Sequence, residues 1–494
     1  MNKFYITTPI YYVNDRPHIG HAYTTVAADV LARWHKQQGE DIFFLTGADE
    51  HGAKVAQAAE QAGQSPKEFC DVKAQDFKKA WELLSVKYDN FIRTTDPAHK
   101  VATQQVLQTM FDKGFIYKGD YEGLYCQGCE QYLTPDDLVD GKCPDHQTEP
   151  QLIKEDSYFF KLSYFEKELE KRILGDDLKI EPKERKNEIL SFIRSGLKDV
   201  SISRKNVKWG VPLPFDKNHT IYVWVDAFLN YLTGIGWDGL VSKSVSQSVN
   251  QSKNSKAGKL IDRQTDRLKF WPPDIQLMAK DILRVHATIW PALLLALDID
   301  LPKKYFVHGF FTLNGKKMSK SLGNVIWPEE MVEKYGADAS RYLLLSSTPF
   351  GQDGDISWEK ITEKYNADLA NGLGNLVSRV FNLIERNFDG QIKPVGGVNL
   401  DIAPLMQKLK LYEALQLIRE KIDWANKYID ETKLWDLVKS DRAKAEKILG
   451  ELLEVIIRVG ERLQPFMPET AEKILAAAKA EKIQKGEGLF PRIK

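Results

Sequence analysis

A doubly wound α/β domain that carries a small insertion and is followed by an all-helical domain is the fold class the sequence predicts. Three observations carry it. The amino end places an amphipathic stretch between two apolar runs, cysteines gather in a Gly- and Asp-rich segment, and from Trp358 onward the pattern is almost wholly helical. At 494 residues the chain exceeds one ordinary core, so two to four domains are expected.

In order along the chain, Lys3 to Ile10 reads as a buried strand and Tyr11 to Pro17 as a loop. A helix follows through Gln38, with Val26, Val30 and Trp34 at i, i+4 spacing, and Asp41 to Thr46 reads as a second strand. Such a strand, helix, strand unit begins a Rossmann-like parallel sheet, in which ligands bind beyond the carboxyl ends of the strands. From about Gly114 to Arg204 the pattern changes to cysteine-bearing and then charged helical sequence, which reads as an insertion. Sheet-like sequence resumes at Thr220 to Val225, Ile275 to Ala279 and Tyr305 to Phe310. Between the first two lies a Ser-, Lys-, Asn- and Gln-rich stretch, 242–267, which cannot bury enough apolar surface to order itself and reads as a mobile surface loop. The helical region includes Leu409 to Tyr428 and Ala443 to Leu463, punctuated by Pro465 and Pro468, and predicts a bundle with short connections.

Composition excludes several classes. Hydrophobic residues at 43% and charged residues at 28% describe a globular protein, and 69 basic residues offset by 69 acidic ones leave no general excess for polyanions, so any nucleic-acid contact must be local. The first residues lack a charged leader with a long apolar run, and the longest apolar run, Trp290 to Leu297, is too short to span a bilayer. A cytoplasmic protein with no membrane contact is expected, and disulfides are not.

Two short motifs suggest chemistry. His18-Ile19-Gly20-His21 sits at a helix start, where unpaired backbone N–H groups and the dipole favour anions. Lys317-Met318-Ser319-Lys320-Ser321 follows the turn signal Asn314-Gly315. A lone histidine pair is as readily a core feature, and a lone basic loop is usually solvated. Together, two imidazoles and two ammonium groups can clasp the triphosphate of ATP from opposite sides, provided the chain folds back. A third motif concerns metal. Cys126-x2-Cys129, thirteen intervening residues, then Cys143-x2-His146 supplies two knuckle-like pairs, a set suited to one tetrahedral, structural Zn²⁺ with no open position. Cys70 reads as an ordinary core or surface residue.

The paired histidine and lysine motifs resemble the signatures of class I aminoacyl-tRNA synthetases, and the remainder, from Tyr5-Ile6-Thr7-Thr8-Pro9-Ile10-Tyr11-Tyr12 through the helical region, resembles the methionyl-tRNA synthetase family over nearly the full length. The resemblance implies ATP-dependent activation of L-methionine to methionyl-adenylate and transfer to the 3′ end of tRNA(Met). It implies transition-state stabilisation by His18, His21, Lys317 and Lys320 with Mg²⁺, and ATP contacts from Gly20, Ser319 and Asp281. For methionine it implies Asp49 as partner of the ammonium, oriented by Arg204, and a side-chain pocket of Pro9, Ile10, Tyr12, Trp224, Ala227, Tyr231, Ile282 and His286. Aromatic faces against a polarizable thioether suit that role.

In the helical domain the resemblance assigns Asn375, Arg379 and Trp435 to reading a CAU anticodon, with Trp435 as a stacking face. The family's single zinc knuckle agrees with the cysteine spacing. The chain departs from the family at Ala279, where glycine is usual, and at Leu434, where proline is common before the tryptophan. The expected division is 1–113 and 205–313 for the two halves of the catalytic domain, 114–204 for the insertion, 314–357 for the lysine loop and linker, and 358–494 for the anticodon-binding bundle. The sequence ends directly after that bundle, and a monomer is expected. Leucine, isoleucine and valine enzymes need a larger insertion than 114–204, and a cysteine enzyme would place its zinc in the catalytic pocket. A tRNA-binding paralogue without activation chemistry is the alternative of a different class.

Overall fold

Strand β1 (Lys3–Tyr12) is rich in β-branched and aromatic residues and is buried along almost its whole length, as a strand covered on both faces must be. In the computed structural model, which describes residues 2–127, 131–133, 135–144, 147–240, 266–318 and 324–493, β1 lies inside a six-stranded sheet. Its neighbours are β2 (Asp41–Asp49) and β11 (Ile275–Ala279), and the full order is β3 (Asn90–Arg93), β2, β1, β11, β12 (Lys304–His308) and β7 (Lys179–Glu181). The β3–β2, β2–β1, β1–β11 and β12–β7 pairs are parallel. Strand order reverses at β1, so the ends of β1, β2 and β11 define a switch-point crevice of the kind that binds ligands in doubly wound sheets.

The chain divides into two compact units, Met1–Arg16 with Gln38–Lys79 and Lys87–Val307, and Pro17–Gln37 with Ala80–Val86 and His308–Lys494. The first holds the parallel sheet and a second, antiparallel sheet ordered β5 (Gln131–Leu133), β4 (Ile116–Cys126), β6 (Gln151–Phe160) and β8 (Val200–Ser201). Strand β7, which falls within 114–204, belongs to the edge of the parallel sheet. A short antiparallel pair, β9 (Ser203–Arg204) and β10 (Thr220–Ile221), follows.

Thr220 to Val225 is not one strand. β10 stops at Ile221 and a helix runs over Val223–Phe228, because the Val225 and Asp226 N–H groups both donate back to the Tyr222 carbonyl, at 2.9 and 3.1 Å. Alternating Val and aromatic residues look like a strand, and periodicity cannot separate such a short apolar run from a buried helix. Likewise β12 ends at His308, two residues short of Phe310.

The second unit contains the helix Ile19–Gln37 and a small sheet ordered β14 (Lys316–Lys317), β13 (Phe311–Leu313) and β15 (Gly354–Ile356). The β13–β14 turn uses Asn314 and Gly315, both at positive φ (53° and 73°), as the Asn-Gly pair predicts. Helical structure then dominates. Ser357 caps the helix Trp358–Lys364 by accepting from the Lys360 N–H, and that helix continues as a π-helix over Tyr365–Gly374 into Asn375–Phe388. Leu411–Glu431, Leu434–Ser440, Arg442–Leu463 and Pro468–Ala478 complete it. The first of these buries Leu411, Leu415, Ile418, Ile422, Ala425 and Ile429, a stripe at alternating four- and three-residue spacing. Not every connection is short: no regular element covers Asp389 to Ile402. Of 242–267, residues 242–265 lie outside the described residues. Among the described residues no helix is long and apolar enough to cross a membrane.

Candidate functional site

In the first unit, Pro9 shapes the end of β1. It has no N–H to donate, and the β1–β2 register shifts between Thr7 and Ile10, after which Ile10, Tyr11 and Tyr12 face Gly47, Ala48 and Asp49. Asp49 is the final residue of β2 and is buried, whereas the next helix starts at Ala53 after Gly52, so Asp49 does not cap it. The Tyr12 hydroxyl donates to the His51 carbonyl at 3.1 Å.

Trp224 and Ala227 come from the helix Val223–Phe228, Tyr231 from the turn after it, and His286 from the first turn of the helix Leu283–Ala296. These elements converge. The His286 Nδ1 lies 2.8 Å from the Ile282 carbonyl, which can only accept, so Nδ1 carries the proton and Nε2 accepts from the Tyr231 hydroxyl at 2.9 Å. Burial drives the His286 pKa down to about 4, against the opposing pull of the Ile282 carbonyl. The imidazole is therefore neutral. Trp224 and Phe228 stand edge-on to it, with centroids at 6.1 and 4.9 Å. Phe228 belongs to this wall although its sequence offers no signal beyond proximity to Trp224. The Tyr5 hydroxyl donates to the Tyr231 carbonyl at 2.8 Å and fixes the wall to the sheet.

Ile282 is half-buried and Asp281 exposed, both in the single 3-10 turn Lys280–Ile282 at the end of β11. Ala279 before them has φ −80° and ψ 158°, a conformation any L residue adopts without strain, so nothing in the backbone demands glycine there. Arg204 ends β9, buried, with its guanidinium 4.2 Å from the Tyr222 ring and Nη1 donating to the Ser201 and Ser203 carbonyls at 3.2 and 2.8 Å.

The histidine motif lies in the second unit. His18 immediately precedes the helix that begins at Ile19, and His21 is in its first turn. The two rings stack at 3.9 Å. His18 Nδ1 accepts from the Gly20 N–H at 3.0 Å and His21 Nδ1 accepts from the His18 N–H at 3.1 Å, which assigns the proton of each neutral ring to Nε2. Gly20 is required by this stack, because a Cβ there would meet His18 Cε1 at 2.7 Å.

The same unit brings the lysine-motif hairpin against this helix. Tyr23 packs on Phe311 of β13 at 4.6 Å, Thr24 pairs with His308 at 2.7 Å, and the Ile19 N–H donates to the carbonyl of Ile326 at 3.1 Å, a few residues beyond the lysine motif. The Lys317 backbone is in β14, while Ser319 and Lys320 lie outside the described residues.

Cys126, at the end of β4, and Cys143 are both buried although exposed residues such as Val139 surround them in sequence. Cys129 and His146 lie outside the described residues, and among the described residues no group of three or more metal-binding side chains forms. In the bundle, Arg379 lies 5.7 Å from the Trp435 ring and pairs with Asp430 at 2.5 Å, while Asn375 donates to Asn426 at 3.1 Å. Trp435 is 43% exposed. Leu434, the first residue of its helix, is fully buried, so leucine packs into the bundle at this position.

Known proteins place this architecture. The family model for class I tRNA synthetases (M) matches residues 4–151 and 146–381. A methionine–tRNA ligase from Caldanaerobacter subterraneus subsp. tengcongensis is 42% identical over 99% of this chain and 79% of its own length. Its counterpart in Thermotoga maritima is 42% identical over 96% of this chain and 74% of its own length. Among solved structures, Mycobacterium tuberculosis methionyl-tRNA synthetase in complex with methionyl-adenylate superposes with a TM-score of 0.89 at 35% identity, covering 100% of both chains. The apo form of that enzyme gives 0.80 at 32% identity. The chain belongs to the methionine–tRNA ligases, the methionine-specific family of class I tRNA synthetases.

Proposed function

We propose that the pocket at the ends of β1, β2 and β11 holds L-methionine, with Asp49 taking the ammonium and Trp224, Ala227, Tyr231, Ile282 and His286, with Pro9, Ile10 and Tyr12, enclosing the side chain. The neutral Tyr231–His286 pair supports this reading most strongly. Both imidazole nitrogens are committed and the surrounding rings are uncharged, so the wall suits an apolar, polarizable chain and disfavours a charged one.

In the ligase reaction the methionine carboxylate attacks the α-phosphate of ATP, pyrophosphate leaves, and the adenylate then esterifies the terminal ribose of the tRNA. No side-chain nucleophile is needed, so catalysis is positioning and charge stabilisation. His18 and His21 would present Nε2–H groups to phosphate oxygens at the positive end of their helix dipole, the first-turn N–H groups being already bonded within the protein. Lys317, at the end of β14, and Ser319 and Lys320 beyond it would add contacts, and Asp281 would meet the ribose. Mg²⁺ would accompany the triphosphate.

Cys126, Cys129, Cys143 and His146 would hold a structural Zn²⁺. Two buried thiols among exposed neighbours fit a metal better than a core, which this segment lacks the apolar residues to build. Asn375, Arg379 and Trp435 would read the anticodon, Arg379 holding its place by the Asp430 carboxylate.

Methionine-dependent pyrophosphate exchange tests the assignment. Lys320→Ala is expected to lower the exchange rate by about a hundredfold or more with little change in methionine KM, the cost of one lost phosphate donor. Asp49→Asn should instead raise methionine KM. Unchanged exchange in Lys320→Ala would remove the lysine loop from the reaction.

A further inference from the structure

A buried carboxylate flanked by two buried histidines lies behind the pocket, in the first unit. Asp226 sits on the helix Val223–Phe228 between Trp224 and Ala227, and is almost completely buried. Its Oδ2 is 2.6 Å from His51 Nδ1 and its Oδ1 is 3.1 Å from His99 Nε2. His99 also reaches Thr233 Oγ1 through Nδ1 at 2.8 Å. Burial alone would raise the Asp226 carboxyl, but the two imidazoles outweigh it and hold the group below the usual carboxylate range. An ionised carboxylate accepts only, so His51 Nδ1 and His99 Nε2 both carry hydrogen and donate.

His51 is not an isolated partner. It belongs to the turn Asp49-Glu50-His51-Gly52 that leaves β2, and every residue after Asp49 is tied down. The Glu50 carboxylate accepts from Arg93 at 2.5 Å and from Thr95, its carbonyl accepts from the Trp209 indole at 2.5 Å, the His51 carbonyl accepts from Tyr12, and the Gly52 N–H donates to the Trp209 carbonyl at 3.0 Å. These bonds fix the turn to strands and loops. The Asp226–His51 contact fixes it to the helix bearing Trp224 and Ala227.

We propose that Asp226, clamped by His51 and His99, is a positioning residue that sets the separation between the carboxylate taking the methionine ammonium and the wall taking its side chain. This rests on the methionine pocket as assigned above. An amino acid is held at both ends only if that separation matches its length. The carboxylate touches neither reacting atoms nor substrate, and acts through Asp49 and Trp224.

The experiment is methionine- and ATP-dependence of pyrophosphate exchange in the full chain. Asp226→Asn keeps the volume and removes the charge, and should raise methionine KM about tenfold or more while ATP KM and kcat stay within about threefold. His51→Ala should match it. His51→Asn, whose amide nitrogen stands where Nδ1 stood, should return methionine KM to within about threefold of the parent. Equal rises in both KM values, a fall in kcat alone, or failure of His51→Asn to improve on His51→Ala would overturn the proposal. The last comparison decides it even if Asp226→Asn fails to fold. Asp49→Asn and Trp224→Ala serve as references. If neither raises methionine KM, the pocket itself is misassigned; if both do and Asp226→Asn does not, the pocket stands and the positioning role falls.

Discussion

His286 and His308 show how burial decides what an imidazole does. Each is held neutral by burial, with a pKa lowered to about 4 despite a backbone carbonyl on Nδ1 that favours the charged form. For His286 neutrality keeps Nε2 an acceptor for Tyr231. For His308 it keeps a partner for Thr24 at 2.7 Å. The consequence for stability has a definite sign. In the unfolded chain these groups titrate near the ordinary value of 6.5, so as pH falls from there toward 4 the unfolded state gains protons that the folded state refuses. Stability present above that window is lost on descending through it. Urea midpoints should therefore fall between about pH 7 and pH 5, and His308→Gln, neutral throughout, should flatten part of the slope. A wild-type midpoint independent of pH over that range would contradict the burial argument.

At the scale of elements, the end of β2 is where close packing and function meet. Gly47 faces Ile10 across the β1–β2 ladder, and a Cβ there would stand 2.2 Å from the Ile92 carbonyl of β3 and 2.9 Å from Ile10 Cγ2. Neither backbone strand can give way without shifting Asp49, two residues on. Gly47→Ala should cost about 1–3 kcal/mol by overpacking and also raise methionine KM. Thermal melts and exchange kinetics on the same preparation check both, and normal stability with normal KM would mean that β3 yields.

Elements of this kind differ in how far their sequence announces them. The Leu411–Glu431 helix is legible because one face repeats apolar residues over six turns' worth of chain, and the Asn314-Gly315 turn because few residues tolerate positive φ. The Val223–Phe228 helix is not, since Val and aromatic residues alternate at its start as in a strand, and so short an apolar run carries no period that separates the two. Asp49, His286 and the stacked histidines sit in recognisable motifs. The Asp226 contacts join residues 175 and 127 positions apart, which no local pattern encodes.

On the scale of a whole compact unit, one guanidinium holds together pieces that the chain supplies separately. The second unit is assembled from Pro17–Gln37, Ala80–Val86 and His308–Lys494, and Arg341 bonds to all three. Its Nη2 pairs with Asp29 of the histidine-bearing helix at 2.7 Å, its Nη1 donates to the Leu84 carbonyl at 3.1 Å, and its Nε and Nη2 donate to the Phe466 and Pro465 carbonyls at 2.8 and 2.9 Å. Both charged side chains are fully buried. Forming such a pair is only weakly favourable, because desolvation offsets most of the attraction, but removing one partner strands the other charge and the carbonyls it served. Arg341→Met should therefore destabilise the protein by about 3–5 kcal/mol, softened to the extent that Arg33, 2.7 Å from the same carboxylate, stays in place. Adding Asp29→Leu removes the stranded charge and should recover part of that loss rather than add to it, since partners in one network do not behave additively. Urea unfolding of the two single variants and the double variant measures the coupling. Strictly additive losses would mean that Arg341 acts through its three carbonyls and not through Asp29.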